Sequence, residues 1–370
     1  MLGFTEVTFE DFIDSDTNVI IAIEPTDSEI LDSIKAQEPS KSDDENDAED
    51  QGLAAPTKLK DAECPWHGLG ECNTDVDRQY GTLSDFSNLV SQANFLDLKV
   101  LLDFVPNHSS DQHPWFKNSI KKIKPYDEFY IWKNGTTVDG VRQPPNNWLS
   151  VFKGSAWTWN EEIGQYYYHQ FAPGQPDLNF RNKDLVQALK DALTFWMDRG
   201  VDGFRVDVIL DLFEDEQLHD EPKSNTSNVP EDEYLYLNHI YTKDQEEIYG
   251  VAQGWRALLD DHAKKHNEDT KLLIVETSGT PSTIQKYFEV GSNAFNFLLL
   301  NYLGASSTAI DFKKFIDNLP NNVLEANVSI WVTDNHENHR SGSRFGITKS
   351  DMLAMLAMTL PGITVVLIEI

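Results

Sequence analysis

The sequence predicts a parallel α/β fold of the kind that closes into a barrel, and three observations lead there. From Thr82 onward, amphipathic helical stretches alternate with short apolar runs, the rhythm of repeated strand–helix units. The runs at 99–105 (KVLLDFV) and 271–275 (KLLIV) are nearly continuous in apolar residues, as strands buried on both faces require. Four runs end in polar groups: Asn107-His108, Asp207, Glu276 and His336-Glu337. In parallel barrels the C-terminal ends of the strands meet at one rim, and that rim carries the chemistry.

Residues 1–74 form an atypical N-terminal segment. A strand is expected at 18–24 (NVIIAIE) and a short helix at 28–36. Residues 37–51 (QEPSKSDDENDAEDQ) are strongly acidic and nearly free of apolar side chains, so they cannot bury a core and should be disordered. The catalytic unit is assigned to 75–110 and 183–370. It begins with a helix over 83–96, capped by Thr82 or Ser84, followed by the strand at 99–105. Residues 111–182 break the rhythm with Trp, Tyr, Pro, Gly and Asn, and read as an irregular, partly β insertion rather than a helix. Most of its rings are expected to form that subdomain's own core.

The rhythm resumes with a helix over 185–199 that Gly200 ends. The strand at 201–209 follows, in which Phe204, Val206 and Val208 alternate with Gly203, Arg205 and Asp207. Residues 211–250 read as a polar loop. Helices are expected at 253–265, 283–288, 312–319 and 351–359, and strands at 271–275, 294–300, 328–332 and 362–367.

Length and charge narrow the functions. The 370 residues, 40% apolar, suffice for one large α/β domain with an inserted subdomain. Thirty Lys and Arg against 61 Asp and Glu give a formal charge of −31, which excludes nucleic acid and disfavours an anionic membrane surface. A neutral substrate fits better. No apolar run reaches the length of a membrane span, and the N-terminus lacks the basic start and apolar core of a signal peptide. Cys64 and Cys72 either close a small disulfide loop or stand as thiols, and His67 alone does not complete a zinc set with them. Asn-X-Ser/Thr triplets begin at Asn107, Asn134, Asn225 and Asn327 and hint only weakly at a secretory route.

Arg205 and Asp207, spaced i, i+2, point to the same side of their strand. Inside a barrel an unpaired charge is costly, so the two are expected to work as a pair. With all four strand ends at one rim, three carboxylates, two histidines and Arg205 line one pocket. Glycoside hydrolysis needs such a set: one carboxyl to protonate the leaving oxygen, another to meet the oxocarbenium carbon. Desolvation and like-charge crowding hold an acid protonated while the nucleophile stays ionised beside Arg205.

At these residues the chain resembles the α-amylase superfamily of glycoside hydrolases, and most its maltase branch, the insect-type α-glucosidases. Asp103-Phe104-Val105-Pro106-Asn107-His108 resembles the family's first motif. Gly203-Phe204-Arg205-Val206-Asp207 resembles the second, Glu276 ending its strand the third, and Asn335-His336-Glu337-Asn338-His339-Arg340 the fourth. Gln175-Pro176-Asp177-Leu178-Asn179 resembles the extra motif of oligo-1,6-glucosidases and maltases. The resemblance runs from about Asp75 to the C-terminus. It implies a (β/α)8 TIM barrel and a retaining α-glucosidase acting on maltose, sucrose or short oligosaccharides. It implies Asp207 as nucleophile, Glu276 as acid/base and Glu337 as the third catalytic carboxylate. Arg205 would hold Asp207 ionised, His108 and His336 would hydrogen-bond glucose hydroxyls, and Arg340 would reach the non-reducing end. A secreted or extracellular location is implied as well.

The departures set further expectations. The family has Asp where this chain has Glu337. The added methylene shifts the carboxylate by about 1 Å, a displacement that can cost on the order of 100-fold in rate. The family's first two strands, its terminal-glucose Asp and the calcium loop of many members are not found in 1–74, so no cofactor is expected. The closing helix and C-terminal β domain are also not found, and the barrel is expected to be incomplete. The alternative reading is a catalytically impaired binding module of the same fold, as in amino-acid-transporter heavy-chain ectodomains.

Overall fold

The computed structural model describes residues 20–22 (backbone only), 75–76, 81–277, 281–297, 299–300, 303–317, 329–335 and 338–365. In chain order it contains β1 (Ile20–Ala22), α1 (Leu83–Phe95), β2 (Lys99–Phe104), α2 (Pro114–Ile120), β3 (Trp132–Lys133), β4 (Thr136–Val138), β5 (Val141–Gln143), β6 (Trp157–Asn160) and β7 (Gln165–Tyr168). Then follow α3 (Lys183–Met197), β8 (Gly203–Val206), α4 (Glu247–His266), β9 (Leu272–Val275), α5 (Pro281–Glu289) and β10 (Asn293–Asn296). The described chain closes with α6 (Ala309–Asp317), β11 (Ile330–Val332), α7 (Ser341–Phe345), α8 (Ile347–Thr359) and β12 (Ile363–Val365).

Seven strands make one sheet in the order β1-β2-β8-β9-β10-β11-β12. The pairings from β2 to β12 are parallel, joined through the helices as strand–helix–strand units require. The two faces of this sheet bury different sets. On one, Leu101, Ile274, Phe295, Ile330 and Val332 form an inner cluster. On the other, Val100, Phe104, Phe204, Val206, Leu273 and Val275 pack with helix residues such as Phe86, Leu189 and Trp255. Burial on both faces is why the strands read as unbroken apolar runs. The curled sheet is the expected barrel, open between its outer strands among the described residues.

Local chemistry sets the helix starts. Thr82 caps α1 in a reciprocal box: Asp85 N donates to Thr82 Oγ1 at 3.3 Å and Thr82 N to Asp85 Oδ2 at 2.8 Å. Gly200 ends the α3 unit at φ 88°, a left-handed conformation that suits glycine.

Several expectations change. The strand at 18–24 exists as Ile20–Ala22, but it pairs antiparallel to β2 and so is no ordinary barrel strand. The insertion holds a helix after all, α2, with Pro114 in its first turn and His113 Nδ1 accepting from Trp115 N at 3.1 Å. Seven residues are too few for its period to show. The rest of the insertion is a three-stranded sheet β3-β7-β6 and a β4-β5 hairpin over an aromatic cluster that includes Trp148, Trp157, Tyr166 and Tyr168. The central strand stops at Val206, because Val208 turns to φ 44°, ψ 39°. The strand at 294–300 stops at Asn296, and Leu299 instead packs on Leu303, Phe312 and Trp331. One apolar run there serves two elements. Helix α4 starts at Glu247, earlier than its polar-looking surroundings suggest, because Ile248, Tyr249 and Ala252 are buried. The acidic stretch 37–51, Cys64, Cys72, His336 and Glu337 lie outside the described residues.

Candidate active site

The site forms where β2, β8 and β9 end. Asp103 on β2 is the direct register partner of Arg205 on β8, and Arg205 in turn faces Ile274 on β9. The ladder continues past the strands: Asp207 N donates to Phe104 O at 2.9 Å, and Glu276 N to Val206 O at 2.8 Å. Asp103, Arg205, Asp207 and Glu276 therefore share one side of the sheet, above the inner apolar cluster. Gly203 lets β8 and β9 approach. A Cβ there would lie 2.4 Å from the Leu272 carbonyl oxygen.

Arg205 is the hub. One terminal nitrogen lies 2.9 Å from Asp207 Oδ1 and 3.3 Å from Asp103 Oδ1, and the other lies 2.9 Å from Glu276 Oε2. The Arg205 and Asp207 side chains are each only 5% exposed, so the pairing offsets a desolvation cost that neither charge could bear alone. Those two nitrogens are about 2.3 Å apart in a planar guanidinium, so the bound oxygens of Asp207 and Glu276 lie within about 8 Å of each other. Three carboxylates around one cation leave an excess of negative charge. Burial, opposed by Arg205 and reinforced by Glu276, pushes the Asp103 carboxyl up to about 6.

The rim is completed from the insertion. His108 and Asp177 form a β-bridge. Gln175 Nε2 lies 3.1 Å from His108 Nε2, and Asn107 Nδ2 donates to Asp177 Oδ2 at 3.1 Å. Burial lowers His108 to about 4, which keeps the ring neutral and able to accept from Gln175. Behind Glu276, Lys243 sits 3.7 Å from the buried Asp211, whose proton affinity burial raises against the pull of Lys243.

Asp207, Arg205 and Glu276 are thus brought together, with His108 on the adjoining rim. Arg340 lies half-buried at the start of α7, on the segment leaving β11, two strands along the sheet from β9. His336 and Glu337 fall outside the described residues. The sequence carried Asp103 only as part of the first motif, with no role, and did not single out Arg344. Asp103 is a hub carboxylate, and its signal was a charge inside an apolar run. Arg344 holds the segment after β11 by donating to the carbonyls of Thr333 and His339, both at 2.7 Å. No local pattern marks it.

The profile of the alpha amylase catalytic domain matches residues 72–368. Maltase 1 of Drosophila virilis is 44% identical over 296 residues, covering 78% of this chain and 47% of that protein. The alpha-glucosidase of Apis mellifera is 43% identical, covering 79% of this chain and 51% of that protein. The solved structure of the alpha-glucosyl transfer enzyme XgtA superimposes with a TM-score of 0.67 at 33% identity, covering 79% of this chain and 55% of that one. The chain thus spans about half the length of the curated relatives it matches.

Proposed function

The chain belongs to the alpha-amylase family, and on that premise we propose that it is an α-glucosidase, a retaining glycoside hydrolase releasing glucose from maltose, sucrose or short oligosaccharides. One observation carries this reading: Asp207 and Glu276, at the ends of adjacent strands, are held by a single guanidinium. Retaining chemistry places its carboxyls about 5–5.5 Å apart and inverting chemistry about 6.5–9.5 Å; the limit that Arg205 sets admits the first, and the choice of retention rests on the motif resemblance.

In the proposed reaction Asp207 attacks the anomeric carbon as the glycosidic C–O bond breaks, and Glu276 gives its proton to the departing oxygen. Glu276 then takes a proton from water, whose oxygen displaces Asp207 and frees glucose. Arg205 keeps Asp207 ionised and fixes the spacing of the pair. Asp103 sets the orientation of Arg205 from the facing strand. His108 is assigned to a glucose hydroxyl through its neutral ring. The roles of His336, Glu337 and Arg340 at the sugar rest on the motif resemblance. Secretion belongs to the same proposal; no helix of the described residues is long and apolar enough to cross a membrane.

Purified chain incubated with maltose should release glucose, with the α-anomer formed first by proton NMR. Asp207→Asn should reduce the rate by at least about a thousandfold. If wild type and Asp207→Asn are folded, equally inert and still bind maltose, the chain is a sugar-binding module and the hydrolase reading is lost.

A further inference from the structure

We propose that Asp198, His262 and His266 form a binding site for a zinc-class divalent cation, at the end of the parallel strands opposite the carboxylate hub. Asp198 precedes the N-terminal end of β8, whereas Asp207 follows its C-terminal end, so the two sites are separated by the length of the strand.

The donors come from two helices. His262 and His266 are spaced i, i+4 at the end of α4 and share one face, with rings stacked at 4.4 Å between centroids. Asp198 is the C-cap of α3. His262 Nε2 lies 3.0 Å from Asp198 Oδ1, and one ligand atom from each of the three residues lies within 4.8 Å of the others. A tetrahedral ion with bonds of about 2.0–2.1 Å holds its donors roughly 3.4 Å apart. Rotation of the exposed Asp198 and His266 side chains closes that difference.

Three further observations point to a cation. Both helices present their C-terminal, partially negative ends to the site. The His262 side chain is only 6% exposed, and its buried Nδ1 makes no hydrogen bond among the described residues. That nitrogen faces Glu268 Oε2 at 3.6 Å. With Nε2 on a metal, Nδ1 becomes the N–H donor, and the carboxylate behind it completes the carboxylate–histidine–metal arrangement. Two imidazoles and a carboxylate select zinc, nickel or copper over calcium or magnesium. Lys271, 2.9 Å from Glu268, keeps that carboxylate outside the ligand set.

Zinc chloride titrated into the full chain by calorimetry should show a site of micromolar-range affinity, and zinc should raise Tm by roughly 3 °C. His266→Gln, at an exposed position, should weaken zinc binding at least about tenfold and remove the thermal shift, and Asp198→Asn should do the same. Calcium chloride should leave Tm unchanged. Equal zinc affinity in wild type and both variants, or no zinc binding to the wild type, overturns the proposal.

Discussion

Asp103 is where burial decides a sign. Its carboxyl is held near 6 in the folded chain against about 4 unfolded, so the folded state binds the proton more tightly. The stability this contributes is fully present below pH 4 and is lost as pH rises through 6. The shift corresponds to on the order of 3 kcal/mol. Asp103→Asn should abolish that fall. Tm measured from pH 4 to 7 should decline more in the wild type than in the variant, and parallel curves would remove Asp103 as the cause. The histidines work in the opposite sense. Burial lowers His108 and His169 to about 4, so their contribution is lost on acidification below their unfolded range near 6.5.

The site depends as an element on how closely β8 lies to β9. Gly203 faces Leu272 in register, and a methyl group there meets the Leu272 carbonyl rather than a side chain that could turn away. Gly203→Ala should cost roughly 3 kcal/mol, read as a lower urea midpoint. Because Arg205 and Glu276 ride on those same strands, maltose hydrolysis should fall with it. At the other end of β8, Val208 holds a left-handed conformation unusual for a β-branched residue. Hydrogen bonds on both sides hold the turn: Asp207 N to Phe104 O, and Asp211 N to Val208 O at 3.1 Å. That turn breaks the extended backbone immediately after Asp207 and carries the chain into the loop that packs on the insertion. There Trp148 Nε1 donates to His219 O at 2.9 Å.

Across the whole molecule, a formal charge of −31 makes self-repulsion a standing cost. Most charges of the described residues are exposed and interact through water, where salt shortens their reach to about 10 Å at 0.1 M. Raising sodium chloride from about 0.02 to 0.5 M should therefore lift Tm by about 3 °C. A drop would mean that exposed pairs such as Lys153–Glu233 outweigh the repulsion. The Arg205 cluster, shielded from solvent, should respond little to salt.

The sequence by itself determined the alternation of strands and helices along the parallel part of the sheet, and the presence of Arg205, Asp207 and Glu276 at strand ends. Those features follow from periodicity and from short motifs, which act over a few residues. Only the tertiary structure decided that Asp103 completes the hub, since it meets Arg205 from 102 positions away. The same holds for Gln175 against His108, 67 positions apart, and for Asp198 against His262, 64 apart. Such contacts are set by strand register and helix packing, and no local pattern encodes which distant residue will lie opposite. The left-handed turn at Val208 and the early start of α4 are of the same kind, because packing there overrides what the local residues prefer.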